Sequence, residues 1–168
     1  MTKKSNFLAR SAVTAALYVV LTLVSYPFSY GMIQFRVSEI MTLLVWFDPS
    51  YIPGLLVGCA IANLFGTGGI VDVVFGTLAS AFAFALMYFF RKIKNENAGI
   101  FLSSLCPALS SFIIALEMRF ATGSEESFWL WFLWIAIGEL AVVTVVGSPL
   151  AMYIKNKPIT KYIKKDGR

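Results

Sequence analysis

The sequence contains no histidine, and its 168 residues include only two cysteines, Cys59 and Cys106. Histidine and cysteine are the usual protein ligands of zinc and haem, so we expect neither group in this chain. Both cysteines lie within apolar runs and form no C-x-x-C pattern, which favours their interpretation as small buried core residues. We therefore predict that the chain holds no metal and no cofactor.

Patterns for catalysis and for nucleotide hydrolysis are also missing. The glycine-rich stretch 66–69 lacks the lysine and the following hydroxyl residue that complete a phosphate-binding loop. Because the chain has no histidine and no cluster of metal ligands, it also offers no obvious pairing of a nucleophile with a base. We predict that the protein is not an enzyme and that any ATP-driven step would use an ATPase on another chain.

Charged residues are scarce. They make up 14% of the sequence, whereas hydrophobic residues make up 58% and the mean hydropathy is +0.76. These values are too apolar for a soluble domain of average composition. The net charge of +5 could indicate nucleic-acid binding, but the basic residues form short runs beside long apolar segments, as they do in cytoplasmic loops. The composition therefore predicts an integral protein of the lipid bilayer that does not bind nucleic acid.

Six apolar segments follow one another, separated by short polar connections. A helix needs about 20 apolar residues to cross a bilayer, and the second and third segments are shorter than this. We predict an all-α fold with one membrane domain over residues 1–168 and six transmembrane helices. Their expected bounds are 8–26, 35–47, 52–65, 70–90, 98–118 and 128–154.

The distribution of basic residues predicts the orientation. Six spans place both termini and two connections on one side, and that side carries all of the 14 lysines and arginines except Arg36 and Arg119. Positive residues favour the cytoplasmic side of a membrane, so we predict that both termini are cytoplasmic. The residues on this side are Lys3, Lys4, Arg10, Arg91, Lys92, Lys94, Lys155, Lys157, Lys161, Lys164, Lys165 and Arg168.

Several polar side chains interrupt the apolar segments toward the predicted outer face. The stretch Ile33-Gln34-Phe35-Arg36-Val37-Ser38-Glu39 places an amide, a guanidinium, a hydroxyl and a carboxylate where the second helix begins. A charge near hydrocarbon is costly unless it is paired or functional, so these residues predict a pocket that captures a solute from outside. The candidate ligand-binding residues are Gln34, Arg36, Glu39, Asn63, Asp72, Glu117 and Glu139.

Structural explanations compete with this interpretation. Arg36 and Glu39 are three residues apart, so they would share a helix face and could form an internal ion pair. Asn63 could simply end the third helix, and Asp72 could stabilise the N-terminus of the fourth helix. Glu139 is expected roughly 16 Å into the sixth helix, near the midplane, where a lone carboxylate must be protonated, paired, or facing water or ligand.

Two further features have both a structural and a functional interpretation. The aromatic residues at the start of the sixth helix are typical of an interfacial aromatic belt. At least one of these rings could instead stack on a flat ligand, and Trp134 is our candidate. In the first helix, Ala12 and Ala16, with Ser11 and Ala15 beside them, allow another helix to approach closely. That neighbour could belong to this chain or to a partner.

Four segments carry a specific combination of residues over most of the chain: Tyr30-Gly31-x-Ile33-Gln34-Phe35-Arg36-x-Ser38-Glu39, Ile52-Pro53-Gly54-Leu55-x-x-Gly58-Cys59-x-x-Ala62-Asn63-Leu64, Asp72-x-x-Phe75-Gly76-x-Leu78-Ala79 and Gly138-Glu139. In these segments the sequence closely resembles the queuosine-precursor transporter (QueT) family. Ser111 is a departure, because relatives often carry Asn there. The resemblance implies a six-helix substrate-capturing S component of an energy-coupling-factor (ECF) transporter in the bacterial plasma membrane.

The resemblance also implies a ligand and partners. The ligand would be a 7-deazaguanine precursor of queuosine, and the partners would be a transmembrane T component, docked at Ala12 and Ala16, and two ABC-type ATPases. A carboxylate can accept from adjacent N–H donors of a deazaguanine, and a cationic or amide group can satisfy its carbonyl. On this basis Glu39 or Glu139 would bind the donor edge, Asp72 or Glu117 would bind an amine if one is present, and the carbonyl would be bound by Arg36, Gln34 and Asn63.

A stand-alone transporter is the main alternative. In it, Glu139 would couple the uptake of a small nucleobase-like or vitamin solute to protons, without any ATPase. The nitrile, aminomethyl and free-base forms of the deazaguanine remain equally compatible with the sequence.

Overall fold

The computed structural model of the chain describes residues 3–30, 33–121 and 123–164. Within these ranges the chain forms helices and turns and no β-strand, which confirms the predicted all-α class. Lys165 and Arg168 of the basic tail and Gly31 of the family pattern lie outside the described residues.

The α-helices of the described chain differ widely in length. They are α1 (Lys3–Val24), α2 (Tyr26–Ser29), α3 (Leu44–Phe47), α4 (Ile52–Asn63), α5 (Ile70–Phe90), α6 (Glu96–Ser104), α7 (Cys106–Leu116), α8 (Phe128–Glu139), α9 (Ser148–Ile154) and α10 (Thr160–Ile163). Short 3₁₀ and π segments connect several of them: Val37–Leu43, Pro49–Tyr51, Glu117–Ala121 and Leu140–Gly147.

Four helical stretches are long and apolar enough to cross a membrane: Lys4–Val24, Ile70–Phe90, Glu96–Phe120 and Phe128–Ile154. The segment Val37–Phe47 is apolar but shorter, and α4 has only 12 residues. Large apolar side chains such as Leu17, Val20 and Val24 are exposed on α1, as expected for a surface that faces lipid. Several apolar helices thus indicate a membrane protein, while the count of six spans and the orientation stay predictions.

The segment predicted as the second α-helix, 35–47, has a different structure. Arg36 has an extended backbone and precedes a 3₁₀ helix over Val37–Leu43, which passes into α3. The expectation that Arg36 and Glu39 share an α-helical face is therefore wrong. Residues three apart eclipse one another in a 3₁₀ helix, so Glu39 and Thr42 lie on the same side, and the Thr42 hydroxyl donates to the Glu39 carbonyl at 2.6 Å.

The last two long stretches are irregular where proline occurs. Pro107 follows the break between α6 and α7, and Pro149 follows the π segment Leu140–Gly147. Proline lacks an amide proton and clashes with the preceding turn, so a break or a widened turn accommodates it. The predicted continuous helices 98–118 and 128–154 are thus each divided. The first begins earlier, at Glu96, because the Asn95 side chain accepts from the Asn97 and Ala98 amides.

Helix α1 packs against α4 through small residues. A Cβ atom added to Gly54 would lie 2.6 Å from the Ser11 carbonyl oxygen, and one added to Gly58 would lie 3.0 Å from that of Ala15. Only glycine permits this approach. Ser11 and Ala15 therefore mediate internal packing, whereas Ala12 and Ala16 are exposed on α1.

Arg10 connects three segments at one end of the molecule. Arg10 of α1 donates to the Asp48 carboxylate at 2.9 Å and to the Ser50 hydroxyl at 3.0 Å, and it also donates to the Ile163 carbonyl of α10. Its guanidinium lies 3.8 Å from the centre of the Tyr51 ring. The start of α1, the connection between α3 and α4, and the C-terminal helix are therefore held together.

Candidate functional site

Two adjoining cavities lie among α5, α7, α8 and the segment that precedes α3. The space between atoms, which includes space open to solvent, is about 410 Å³ in the first and about 310 Å³ in the second. Gln34, Arg36, Gly76 and Ile114 line both, so these residues form the boundary between them. Seven of the eight predicted ligand-binding residues line one or both cavities.

Glu39 and Glu139 both line the first cavity. Glu39 is 6% exposed and accepts a hydrogen bond from the Tyr18 hydroxyl. Glu139, on α8, has a buried Oε2 atom without a hydrogen-bond partner. A buried polar atom without a partner is costly, so this oxygen is available to a donor that enters the cavity.

Further polar and aromatic side chains line the first cavity and were not singled out as candidates from the sequence. They are Thr42, Ser80, Phe84 and Ser110; Ser111, noted above only as a departure from the family, joins them. Spacing on α5 is the signal that could have found two of them, because Asp72, Gly76, Ser80 and Phe84 recur every four residues and share a helix face. Small residues at Gly76, Ala79 and Ala83 leave open space along that face.

The second cavity holds the other two acidic candidates. Asp72 lies in the first turn of α5, where its Oδ2 atom accepts from the Gly68 amide at 2.9 Å. Glu117 begins the π segment after α7 and lies beside Asp72, with the two carboxyl groups within hydrogen-bonding reach. Asp72 therefore does stabilise the loop before its helix, but with only one of its two oxygens.

Arg36 connects the two cavities. Its Nη1 atom donates to the Asn63 side-chain oxygen at 2.8 Å, its Nε atom donates to the Ser29 carbonyl at 3.1 Å, and its guanidinium lies 5.3 Å from the centre of the Tyr30 ring. Glu39 and Glu139 attract it electrostatically. Within residues 3–30, 33–121 and 123–164, ion pairs closer than 4 Å are Arg10–Asp48 and Lys155–Glu96, so the internal Arg36–Glu39 pair considered above is not formed.

Asn63 ends its helix, as one of the two alternatives predicted, and its role toward a ligand stays a prediction. It is the last residue of α4, but its fully buried side chain contacts Arg36 and also donates to the Cys59 sulfur at 3.3 Å. Gly76 makes room for it, because a Cβ atom there would collide with the Asn63 amide nitrogen. Asn63 therefore holds Arg36 in place and lines the second cavity with the rest of its surface.

The loop that carries Gln34 crosses α8 at very close range. Gln34 has a positive φ of 49°, which non-glycine residues rarely adopt, and its side chain is 7% exposed. The Ile33 carbonyl oxygen lies so close to Gly138 that a Cβ atom there would overlap it. The glycine thus brings Gln34 and Arg36 toward Glu139, the next residue of α8.

The tryptophan candidate lies elsewhere. Trp134 is half-buried on α8 and lines neither of the two cavities. Phe128, Trp129 and Phe132 pack against one another at the start of α8, and Trp129 is 73% exposed. These rings suit an interfacial belt. Stacking of Trp134 on a ligand stays a prediction, and the cavities offer the buried Phe84 ring instead.

In the part of the chain that the structure describes, no group of three His, Cys, Asp or Glu side chains is arranged to hold a metal ion. Cys59 and Cys106 are buried and free of disulfides. The cavities therefore combine carboxylates, one guanidinium, amides and hydroxyls around a small space. Such groups suit the recognition of a polar organic solute through hydrogen bonds and charge.

Comparisons with known proteins identify a family of transporters. A family model described as QueT transporter matches residues 8–156. The chain is also similar to the protein named Queuosine precursor transporter QueT of Lactococcus lactis subsp. cremoris (strain MG1363). The two are 36% identical over 140 residues, which cover 77% of this chain and 81% of the relative. No solved structure matches the chain.

Proposed function

Because the chain belongs to the QueT transporter family, we propose that it is the substrate-binding membrane subunit of an ECF-type importer. In this role it captures a queuosine precursor of the 7-deazaguanine type from outside the cell for ATP-driven uptake. The family is one of transporters and not of enzymes, and the apolar helices agree with a place in the membrane.

One observation carries the proposal for the ligand: the first cavity contains two carboxyl groups, one of them with an unpartnered buried oxygen, beside a guanidinium. A deazaguanine offers adjacent N–H donors and a carbonyl acceptor on the same edge. Glu39 or Glu139 would accept from the donors, and Arg36 with Gln34 would donate to the carbonyl. Asn63 acts through Arg36, because its oxygen is already bonded to that guanidinium.

We also propose the partners that the resemblance to the family implies. The proposed complex contains a T component and two ABC-type ATPases, with Ala12 and Ala16 as the docking surface. Their exposure on α1 supports this role, because the internal contact with α4 uses Ser11 and Ala15 instead. The proposed location is the bacterial plasma membrane.

We propose six membrane-embedded segments with both termini in the cytoplasm. The long stretches account for four of them, and Val37–Phe47 and α4 would be the two short ones. Contacts between distant residues support this arrangement, because Arg10 bonds with Asp48 and Lys155 bonds with Glu96 at 3.4 Å. Six segments that alternate in direction would bring these residues to the same side of the membrane.

Ligand-induced stabilisation of the detergent-purified chain tests the proposal. A 7-deazaguanine precursor is expected to raise the unfolding temperature, whereas adenine is not. Glu39→Gln and Glu139→Gln are each expected to weaken binding by about 10- to 100-fold, since each removes a charge-assisted hydrogen bond. Glu125→Gln, in an exposed loop, is the matched control and should bind normally. Wild-type affinity in both cavity variants would disprove the assignment.

The unpartnered oxygen of Glu139 also favours the stand-alone, proton-coupled transporter as a second candidate. Uptake by the purified chain in proteoliposomes discriminates the two. If a proton gradient alone drives accumulation of the precursor, and Glu139→Gln abolishes it, the ECF proposal fails. Uptake that requires the T component, both ATPases and ATP would instead exclude the second candidate.

A further inference from the structure

We propose that one acyl chain of an anionic phospholipid occupies an apolar groove beside α9, and that lysines of the turn after α9 bind its phosphate. The groove lies between the segment Val37–Phe47 and the helices α9 and α10. This site is separate from the two cavities described above, because none of the residues that line the groove lines either of them. The inference therefore does not depend on which solute the protein transports.

The lining of the groove carries no polar side chain. Its larger members are Ile40, Leu44, Phe47, Leu150, Ile154 and Ile163. The space between atoms, which includes space open to solvent, is about 460 Å³. Water is a poor occupant of an apolar groove, whereas a hydrocarbon chain fills it without loss of hydrogen bonds. The groove thus suits an acyl chain.

The groove opens onto a part of the surface that is expected to face lipid. Helix α9 ends the stretch Phe128–Ile154, which is long and apolar enough to cross a membrane. Leu150 lines the groove and is 45% exposed, and Val146, four residues earlier, is 55% exposed. Apolar side chains exposed along such a stretch face hydrocarbon, so lipid chains have access to the groove.

A cluster of lysines surrounds an open cavity beside the end of the groove. We call it the lysine cluster, and its members are Lys155, Lys157, Lys161 and Lys164. Among the described residues, no acidic side chain lines this cavity. Lys155 is paired with Glu96 at 3.4 Å, but in the described part of the chain no carboxylate lies within 4 Å of the other three lysines. Their charge favours an anion such as a phosphate.

The groove and the lysine cluster are continuous. Ile154 lines the groove and the next residue, Lys155, belongs to the cluster, and the same holds for Ile163 and Lys164. Consecutive Cα atoms are only about 3.8 Å apart, so the charges begin where the apolar lining ends. An anionic phospholipid has the same order, with its phosphate next to its acyl chains. On the proposed cytoplasmic side, basic pockets between helices are suited to such head groups.

Hydrogen bonds hold α10 folded back toward the groove. The Thr160 hydroxyl donates to the Ile154 carbonyl at 2.6 Å, and Arg10 of α1 donates to the Ile163 carbonyl. These bonds fix both isoleucines at the junction between the groove and the lysine cluster. Because the site is already formed, a lipid that binds there does not have to order the turn first.

Simpler occupants would satisfy only half of the site. A soluble phosphate would pair with the lysines and leave the apolar groove unfilled. A lipid with no net charge, or an apolar helix of a partner protein, would fill the groove and leave the lysine charges unbalanced. An anionic phospholipid satisfies both halves at once.

Lipid titration into the full chain, purified in a non-ionic detergent, tests the charged half of the site. The probes are dioleoylphosphatidylglycerol and dioleoylphosphatidylcholine, which share their acyl chains and differ in net charge. Affinity is obtained from the rise in unfolding temperature with lipid concentration. Wild type is expected to bind the anionic lipid at least about 10-fold more tightly. In Lys157→Gln/Lys161→Gln/Lys164→Gln this preference should fall below about 3-fold.

A matched control removes the same charge elsewhere. Lys4→Gln/Lys92→Gln/Lys94→Gln changes three other exposed lysines on the proposed cytoplasmic side and should keep the wild-type preference. If this control loses the preference to the same extent, the effect comes from general surface charge and the site is disproved. Equal affinity of wild type for the two lipids disproves it as well.

Leu150→Trp tests the apolar half of the site. The larger ring would occupy space that an acyl chain needs, so affinity for the anionic lipid should fall by at least about 10-fold. Leu133→Trp, at another exposed position of the same stretch, is the control and should bind normally. Glycerol phosphate, which carries the charge without a chain, should not stabilise wild type at concentrations where the lipid does.

The remaining outcomes identify a different occupant. Stabilisation by glycerol phosphate alone would show that the groove takes no part and that the lysines bind a soluble anion. If Leu150→Trp binds lipid normally but no longer assembles with a T component, the groove is a protein-docking surface. Either result overturns the inference and leaves the proposed function intact.

Discussion

Individual polar residues in this membrane protein are held by specific partners. Arg36 illustrates this, because three of its contacts come from the neutral residues Ser29, Tyr30 and Asn63 and none is a close ion pair. A guanidinium fixed by neutral acceptors keeps its full positive charge for the two cavities. Its neighbours Glu39 and Glu139 line the same cavity, and Glu139 keeps an unpartnered oxygen that can accept from a ligand.

Asp48 contrasts with these residues, because its partner is a charged side chain and it lies in a connection between helices. Partial burial opposes its ionisation, but hydrogen bonds from Ser50 and Arg10 outweigh that effect and hold the pKa of Asp48 below its usual range. A carboxylate with a lowered pKa stabilises the fold at neutral pH. This contribution disappears as the pH falls from the usual value of about 4 through the value in the fold.

Replacement of Asp48 with Asn tests this linkage. We expect the variant to unfold at a lower temperature than wild type at pH 7. The difference should become smaller as the pH is lowered below about 4, because wild type then loses the same charge. Thermal unfolding in detergent at a series of pH values measures it, with Glu126→Gln as an exposed control. A difference that does not change with pH would show that the charge of Asp48 contributes nothing.

At the scale of elements, the site depends on close approach between backbones. The segment 33–36 reaches the cavities because it crosses α8 at Gly138, and α4 reaches α1 because Gly54 and Gly58 carry no side chain. In each case a backbone carbonyl group of the neighbouring segment occupies the space that a side chain in place of the glycine would fill. The cavity walls are therefore sensitive to single added methyl groups.

Gly138→Ala is expected to displace the segment 33–36 from α8, because the new Cβ atom would overlap the Ile33 carbonyl oxygen. Loss of ligand affinity by at least about 10-fold should result, together with a destabilisation of about 1–3 kcal/mol. Gly147→Ala is the matched control farther along the same stretch. Its new methyl group would meet the flexible end of Leu43 at 3.1 Å and should have little effect on binding. Normal binding by Gly138→Ala would contradict the importance of this crossing.

For the whole molecule, the proposed mechanism separates capture from delivery. The cavities lie within the bundle, whereas Ala12 and Ala16 lie on an exposed side of α1 that does not take part in the contact with α4. Binding of the precursor and docking on a T component would therefore use different surfaces. Substitutions on α1 should affect one without the other.

The double variant Ala12→Leu/Ala16→Leu is expected to bind the precursor with wild-type affinity. In the assembled transporter it should reduce uptake by at least about 10-fold, because larger side chains keep the partner helix at a distance. Val13→Leu, also exposed on α1, is the control and should support normal uptake. Wild-type uptake by the double variant would locate the docking surface elsewhere.

The sequence alone determined the membrane character, the all-α class and the polar residues that line the two cavities. Length and hydropathy suffice for the first two, because a bilayer selects long apolar helices. The list followed from the cost of charge in hydrocarbon, which makes residues such as Glu117 and Glu139 conspicuous.

Only the tertiary structure decided how these residues are grouped. It divided them between two cavities, placed Asp72 beside Glu117, and added Phe84 and Ser80, whose only signal in the sequence is their four-residue spacing from Asp72 and Gly76. It also replaced the expected α-helix at Arg36 with an extended residue and a 3₁₀ turn. The physical reason is that such features depend on contacts between segments far apart in the chain, and local hydropathy and spacing do not contain that information.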